Sequence, residues 1–369
     1  SRPESAAAQE ERRRTRCPPR RRPRRRLTST RPRRESEGLR VSLHDVRLYP
    51  QPLKLTYPKK TTLASLAPTV RASELEAFSS LYAACNGPEW EKQQGWGSDP
   101  EYGRWYGVAV FGVSTTNGIA HTVGGGGGGG GVGGGGSVDV DRAYSAAELI
   151  LPSNRLEGTL PHQIGFLQNI TTLDLSNNQI AGTLPLSLGS LGALQTLNLK
   201  DNEFSGPVAV VDELSKISSL NLSWNNFSGR LPELKKGRLT ARVVDLAGNR
   251  LHGSIPESYG NLVELRTLWL HFNRLSGPIP STIAHARKLR HLGLFENKLN
   301  GRLPAELGTL VGLRKLLCSS NKMTGRLPWE LCNLTNLTEL SLQNNLFVKD
   351  TDVAKTRRSK QLPACRILL

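Results

Sequence analysis

Apolar residues return along most of this chain in a pattern that alternates over a few positions and then repeats at a fixed distance. Leu265, Leu268, Leu270 and Leu275 reappear as Leu289, Leu292, Leu294 and Leu299, so the short alternating piece predicts a strand that turns its leucines to one side. An asparagine recurs at Asn154, Asn178, Asn202, Asn225, Asn249, Asn273, Asn297, Asn321 and Asn345, every step being 24 residues except one of 23. A glycine stands four residues after each of the first eight, from Gly158 to Gly325. A period of this length predicts a solenoid. One coil cannot bury its own leucines, but stacked coils cover each other, and their strands join into one parallel sheet at about 4.8 Å per strand. Each asparagine is expected to end its strand facing inward and to bond backbone groups of its own coil and the next, which makes a buried amide tolerable. Gly277 permits the turn that follows, and Ile279-Pro280 opens the return path in an extended conformation.

The unit from Leu265 to Pro280, Leu-Arg-Thr-Leu-Trp-Leu-His-Phe-Asn-Arg-Leu-Ser-Gly-Pro-Ile-Pro, resembles the leucine-rich repeat family, in the variety common in plant receptor-like proteins whose motif ends in Gly-x-Ile/Leu-Pro. Gly182, Leu184 and Pro185; Gly253, Ile255 and Pro256; Gly301, Leu303 and Pro304; and Gly325, Leu327 and Pro328 repeat that ending. The resemblance covers residues 146–348, about nine units. It implies an α/β solenoid, a right-handed superhelix with a parallel β-sheet on the concave face, an irregular or 3-10 convex side and a helical N-terminal cap. Departures sit in the third and fourth units: Pro207-Val208-Ala209 lacks the expected proline, and one unit is a residue short. A local bump on the convex side is expected there.

Residues 71–145 read as the cap. Ser73 with Glu76 suggests a capping box, Leu75, Phe78, Leu81 and Tyr82 fall on one face of a helix, and Gly87-Pro88 would end it. Leu81, Tyr82, Ala84, Asn86, Gly87 and Trp90, followed by Trp105, Tyr106, Gly107 and Val108, are similar to the N-terminal cap of many algal, protist and bacterial leucine-rich repeat proteins. A cap is physically required, because the first coil would otherwise expose its leucines and its strand edge. Its tryptophans are accordingly read as core rather than as a ligand cage. Residues 124–136, all glycine except Val132, read as an insertion in the cap's terminal hairpin. They are not a phosphate loop, since no Lys-Ser/Thr follows. After Phe347 the repeat is abandoned, and residues 349–369 are expected to leave the last strand with an open edge or to fold over it imperfectly.

Composition adds the flanks. The net charge is +18, and residues 1–40 carry fifteen Arg against five Glu. Together with prolines and few recurring apolar residues, this predicts a disordered basic tail over residues 1–70. Nucleic acid is a possible partner only through that tail, and no aromatic residues interleave its arginines to stack on bases. Five cysteines are scattered without metal or disulfide-scaffold spacing, and Cys318 takes a repeat leucine position as a small hydrophobe. No run of about 18 apolar residues predicts a membrane span. The chain opens on Ser1 rather than Met, so the lack of a visible signal peptide decides little. Five Asn-x-Ser/Thr sequons, at Asn169, Asn221, Asn226, Asn333 and Asn336, suit a secreted protein, although the repeat itself generates such triplets.

Function on such a scaffold is expected on the exposed residues that alternate with the buried leucines. On four adjacent coils these are Trp224, Asp245, Trp269, His271, Phe272, His291, Phe295 and Glu296, an aromatic cluster rimmed by charge of the kind that anchors a protein or peptide ligand. An enzyme would pair His271 or His291 with Asp245 or Glu296, but no nucleophile, metal or cofactor motif accompanies them. The expectation is therefore a non-catalytic binding scaffold without a cofactor. The resemblance implies an extracellular or cell-surface receptor-like setting, with the ectodomain of a receptor kinase as the alternative.

Overall fold

The computed structural model describes residues 72–96, 105–116, 119–122, 143–235, 240–348 and 366–368. All of them lie in the second of the chain's two units, residues 64–369. The basic tail and the glycine run fall outside the described residues.

A twelve-stranded sheet organises this unit. It opens with β1 (Val108–Thr116), β2 (Ile119–Thr122) and β3 (Ala143–Ile150), with β1 antiparallel to both others. Parallel strands of three residues follow, one per coil: β4 (Thr172–Asp174), β5 (Thr196–Asn198), β6 (Ser219–Asn221), β7 (Val243–Asp245), β8 (Thr267–Trp269), β9 (His291–Gly293), β10 (Lys315–Leu317) and β11 (Glu339–Ser341). The register pairs Val244, Leu268, Leu292, Leu316 and Leu340 in line. Each is almost fully buried, which is how stacked coils hide what one coil cannot. On the opposite side run five-residue 3-10 helices, from His162–Phe166 to Trp329–Asn333. Most are preceded by a proline in extended conformation, as at Pro256 and Pro280. This is the expected α/β solenoid.

The departures behave as local events. Val208 stands where other coils have proline and adopts φ −105°, ψ 8°, yet β5, β6 and β7 keep their pairing without a slip. In the next coil Leu234 is buried with a left-handed backbone, φ 53°, and its N–H donates to Asp212 Oδ1 at 2.7 Å. The bump is therefore absorbed on the return path and the sheet is spared.

The asparagine ladder differs in direction from the expectation. Asn273 Nδ2 donates to Leu270 O and His271 O of its own coil and to Leu246 O of the preceding coil, while its Oδ1 accepts the Leu251 N–H, also of the preceding coil. Asn178, Asn202, Asn225, Asn249, Asn297, Asn321 and Asn345 repeat this scheme. Each amide thus clamps backward rather than forward.

One further expectation needs correction: helix α1 spans Ala72–Ala84, so Ser73 lies inside its first turn and is not its N-cap. At the far end β12 (Arg366–Leu368) pairs with β11 in parallel, so of the two outcomes expected for that edge it is the covered one. The aromatic residues of residues 72–108 form a core, as expected. Trp90, Trp96 and Trp105 are buried, with neighbouring ring centroids 4.8 Å apart, and the Trp90 and Trp96 indoles donate to Cys85 O and Tyr106 O. Glu74 is buried too and accepts the Ala146 N–H at 3.3 Å, tying α1 to the first coil.

Candidate binding face

Strand alternation sends Trp269 away from Leu268 and Leu270, onto the sheet face. The face is not as open as the pattern suggests. Trp269 is only 7% exposed, packed with Ala247 and Leu317 and against Phe295. It lies down across the next coil because Gly293 has no side chain; a Cβ there would overlap the indole ring. Trp224 does the same over Gly248, where a Cβ would come within 2.6 Å of the ring. Asp245 and His291 are also buried, Asp245 closing a turn onto the Ala247 N–H and His291 facing the Thr267 hydroxyl at 3.4 Å. Of the eight expected face residues, Trp269, Asp245 and His291 are therefore covered. Phe272 (43% exposed) and Glu296 are open, and Trp224, His271 and Phe295 are half-buried.

The rings make one continuous strip. Trp224 meets Phe272 at 5.8 Å, Phe272 meets Phe295 edge-on at 5.2 Å, and Phe295 stacks on His271 at 4.3 Å. His271 in turn meets Trp269 edge-on at 5.7 Å, and Trp269 stacks on His291 at 6.0 Å. His271 Nδ1 is buried and has no hydrogen-bond partner.

Backbone conformation supplies a second observation that the sequence pattern did not signal. The residue before every ladder asparagine is left-handed: Ser153, Asn177, Asp201, Trp224, Gly248, Phe272, Glu296, Ser320 and Asn344 all have φ between 52° and 67°. For a bulky side chain this region is disfavoured. The fold imposes it, since the N–H of each of the first eight is engaged by the next coil, as in Phe272 N–H to Phe295 O at 3.1 Å and Trp224 N–H to Ala247 O at 2.8 Å. Trp224 and Phe272 are thus displayed at a cost that the turn sets in every coil.

Burial holds the His271 imidazole down at about 4, and His291 sits at about 4 through burial first and then the nearby charges of Lys315, Arg314 and Arg290. Both rings are neutral near pH 7, which makes the strip an apolar surface rather than a cationic one. In an unfolded chain each would titrate near 6.5. Their contribution to stability is therefore complete above that value and is lost as pH falls toward 4. The urea midpoint should hold from pH 8 to 7 and drop between pH 6.5 and 4.5, by at most about 1 kcal/mol per pH unit for each ring. His271→Phe should flatten part of that drop, and superimposable acid profiles for the two proteins would overturn the assignment.

Models of the leucine-rich repeat match residues 145–204 and, in a second form, residues 216–235, 241–262, 264–286 and 312–334. These are leucine-rich repeats. Among solved leucine-rich repeat structures, the ectodomain of the plant membrane receptor kinase GASSHO1/SCHENGEN3 from Arabidopsis thaliana, in complex with CASPARIAN STRIP INTEGRITY FACTOR 2, is 28% identical with a TM-score of 0.63, over 77% of this chain and 31% of its own. The Arabidopsis receptor kinase HAESA ectodomain, in complex with an IDA peptide hormone, is 25% identical with a TM-score of 0.56, over 74% of this chain and 42% of its own. A leucine-rich repeat protein of Leptospira interrogans is 32% identical with a TM-score of 0.50, over 59% of this chain and 53% of its own. The chain thus spans about a third to a half of the length of these leucine-rich repeat structures. No curated protein matches it by sequence. None of these matches speaks for nucleic acid. Among the described residues no helix is long and apolar enough to cross a membrane. Of the sequon asparagines, Asn169, Asn333 and Asn336 are exposed, whereas Asn221 is buried and accepts the Ser223 N–H.

Proposed function

We propose that this chain is a non-catalytic leucine-rich repeat scaffold that binds a protein or peptide across the strip formed by Trp224, Phe272, Phe295 and His271, in a receptor-like protein outside the cell or at its surface. The observation that carries the reading is Phe272, an aromatic residue held open to solvent on a left-handed backbone and in contact with rings on both sides. Aromatic anchors bury large areas with few rotors, so a ligand gains most from them. The GASSHO1/SCHENGEN3 and HAESA complexes support a peptide or protein as the occupant. Trp269, Asp245 and His291 then support the strip from below instead of touching the ligand first. The same two relatives favour a narrower version, the ectodomain portion of a receptor kinase, which a transcript that stops directly after Leu369 would overturn.

The test is selection of peptides from a displayed library against the whole chain, followed by Phe272→Ala. That change should weaken the selected peptides by about 2 kcal/mol, some thirtyfold, while stability moves by only about 0.5 kcal/mol, because the ring is exposed and alanine keeps the Cβ that the left-handed backbone disfavours. Peptides that bind Phe272→Ala and Phe295→Ala as tightly as the unaltered chain would move the ligand off this strip.

A further inference from the structure

Three of the five Asn-x-Ser/Thr triplets stand in one part of the fold. Asn169 and Asn336 each lie three residues ahead of a strand, β4 and β11, and Asn333 ends the 3-10 helix Trp329–Asn333 just before; all three are exposed. Strands β4 to β11 are parallel, so their starting ends fall on one flank of the sheet, while Trp224, Phe272, Phe295 and His271 come after the strands, on the other flank. The repeat does not force this placement. The position of Asn169 and Asn336 holds Ala193, Lys216, Thr240, Glu264, Lys288 and Gly312 in the six coils between, so the asparagine returns only in the first and last coils with a three-residue strand.

The same places leave large apolar residues open. Trp329 is 70% exposed in the helix that Asn333 ends, Val311 is 58% exposed and its carbonyl accepts the Asn336 amide at 2.8 Å, and Phe166, three residues ahead of Asn169, is 37% exposed. A single exposed apolar residue is ordinary, but here each of the three asparagines has one beside it. A sugar chain is bulky and solubilising, and it can cover such a residue while keeping its own hydroxyls in water. The other two triplets are placed differently. Asn221 is 2% exposed within β6, and its Oδ1 accepts both the N–H and the hydroxyl of Ser223, the hydroxyl that completes its triplet. Asn226 is half-buried in the strand Asn226–Phe227, its Oδ1 accepts the Arg250 guanidinium of the next coil at 2.9 Å, and it stands two residues after Trp224.

We propose that Asn169 and the pair Asn333 and Asn336 carry N-linked oligosaccharides and that Asn221 and Asn226 carry none, which puts every glycan on the starting flank of the strands and leaves the aromatic strip open. This modification rests on the proposed setting outside the cell or at its surface, since such a triplet is an acceptor in a secreted protein. In the transfer the asparagine Nδ2 attacks C1 of a lipid-diphosphate-linked oligosaccharide. One N–C bond forms, the C1–O bond to the diphosphate breaks, the lipid diphosphate leaves with that electron pair, and the amide gives up one proton. Asn333 and Asn336 are close enough to crowd one another, so the pair carries at least one glycan.

The test sends the whole chain through a eukaryotic secretory route behind an added leader. N-glycans are released by the amidase that converts each occupied asparagine to aspartate, and the sites are read by peptide mass spectrometry. In the unaltered chain Asn169 and at least one of Asn333 and Asn336 should be occupied, with Asn221 and Asn226 bare. Asn169→Gln should lose one glycan, and Asn333→Gln with Asn336→Gln should lose all glycan from that pair while keeping the one on Asn169. Where a variant is not secreted, Thr171→Ala, or Thr335→Ala with Thr338→Ala, is read instead, since these changes break the triplets and keep the asparagines. Peptides selected on the bare chain should bind the glycosylated chain equally well. The leader imposes the route, so a missing glycan counts against the sites and not against the compartment. A bare Asn169, a bare pair, a glycan on Asn221 or Asn226, or loss of peptide binding on glycosylation would overturn the proposal. A chain glycosylated as expected that takes no peptide in either form would support the sites and overturn the strip reading alone.

Discussion

Asn273→Leu is expected to cost the fold about 2 to 4 kcal/mol, since it leaves the buried Leu251 N–H unpaired, at about 1 to 3 kcal/mol, and removes one of the donors to Leu246 O, Leu270 O and His271 O, which keep Asn249, Asn297 and the Gly248 N–H. Leucine has the volume but cannot accept the Leu251 N–H or donate to Leu246, Leu270 and His271. The loss is shared between two coils, because the clamp runs backward to the preceding one. Asn344→Leu is the matched comparison. Its side chain is exposed and reaches only Ser320 Oγ, at 3.5 Å. The remaining cost there is the left-handed backbone, φ 57°, which asparagine tolerates better than leucine by about 1 kcal/mol. Urea midpoints that shift equally in the two variants would show that the ladder does not carry the coils.

Trp269→Ala is expected to destabilise by about 2 to 4 kcal/mol, a value in the range for large buried side chains, because the indole lies flat under Phe295 and against Ala247 and Leu317. Gly293→Ala should cost about 1 to 3 kcal/mol by a different route, since the new methyl group overlaps the same ring and must push it off its seat. The two changes are therefore coupled. In the Trp269→Ala background the added methyl meets only His271 Nδ1, at 3.4 Å, an ordinary contact, and Gly293→Ala should then cost little or nothing. A double variant whose loss equals the sum of the single losses would mean that the indole does not rest on Gly293.

The ladder was legible because its signal is a period: nine asparagines at one spacing specify a buried polar position whatever lies between them. Its direction was not, since backward and forward clamps give the same sequence. Alternation also told correctly that Trp269 leaves the leucine side of β8. It could not tell that the residue is covered, because the cover comes from three other coils, with Gly293 giving room and Phe295 and Leu317 closing over it. Burial of Asp245 and His291 escaped for the same reason. The strand Arg366–Leu368 was hidden differently, since no repeat spacing links it to Glu339–Ser341, which it pairs. Ser73 with Glu76 fits a capping box in spacing alone, and the helix simply starts earlier.

The left-handed position before each asparagine has a consequence for how this surface can change. Serine, aspartate, tryptophan, glycine, phenylalanine and glutamate all occupy it with nearly the same φ, so the loop geometry is dictated by the clamp and not by the side chain it presents. The position works as an interchangeable mount: a new residue alters what is shown to a ligand without redrawing the coil beneath it. The penalty falls only on stability, about 1 kcal/mol for a bulky occupant, and glycine or asparagine removes it. Diversification of the face can therefore proceed one coil at a time, with thermal tolerance as the quantity traded for each new specificity.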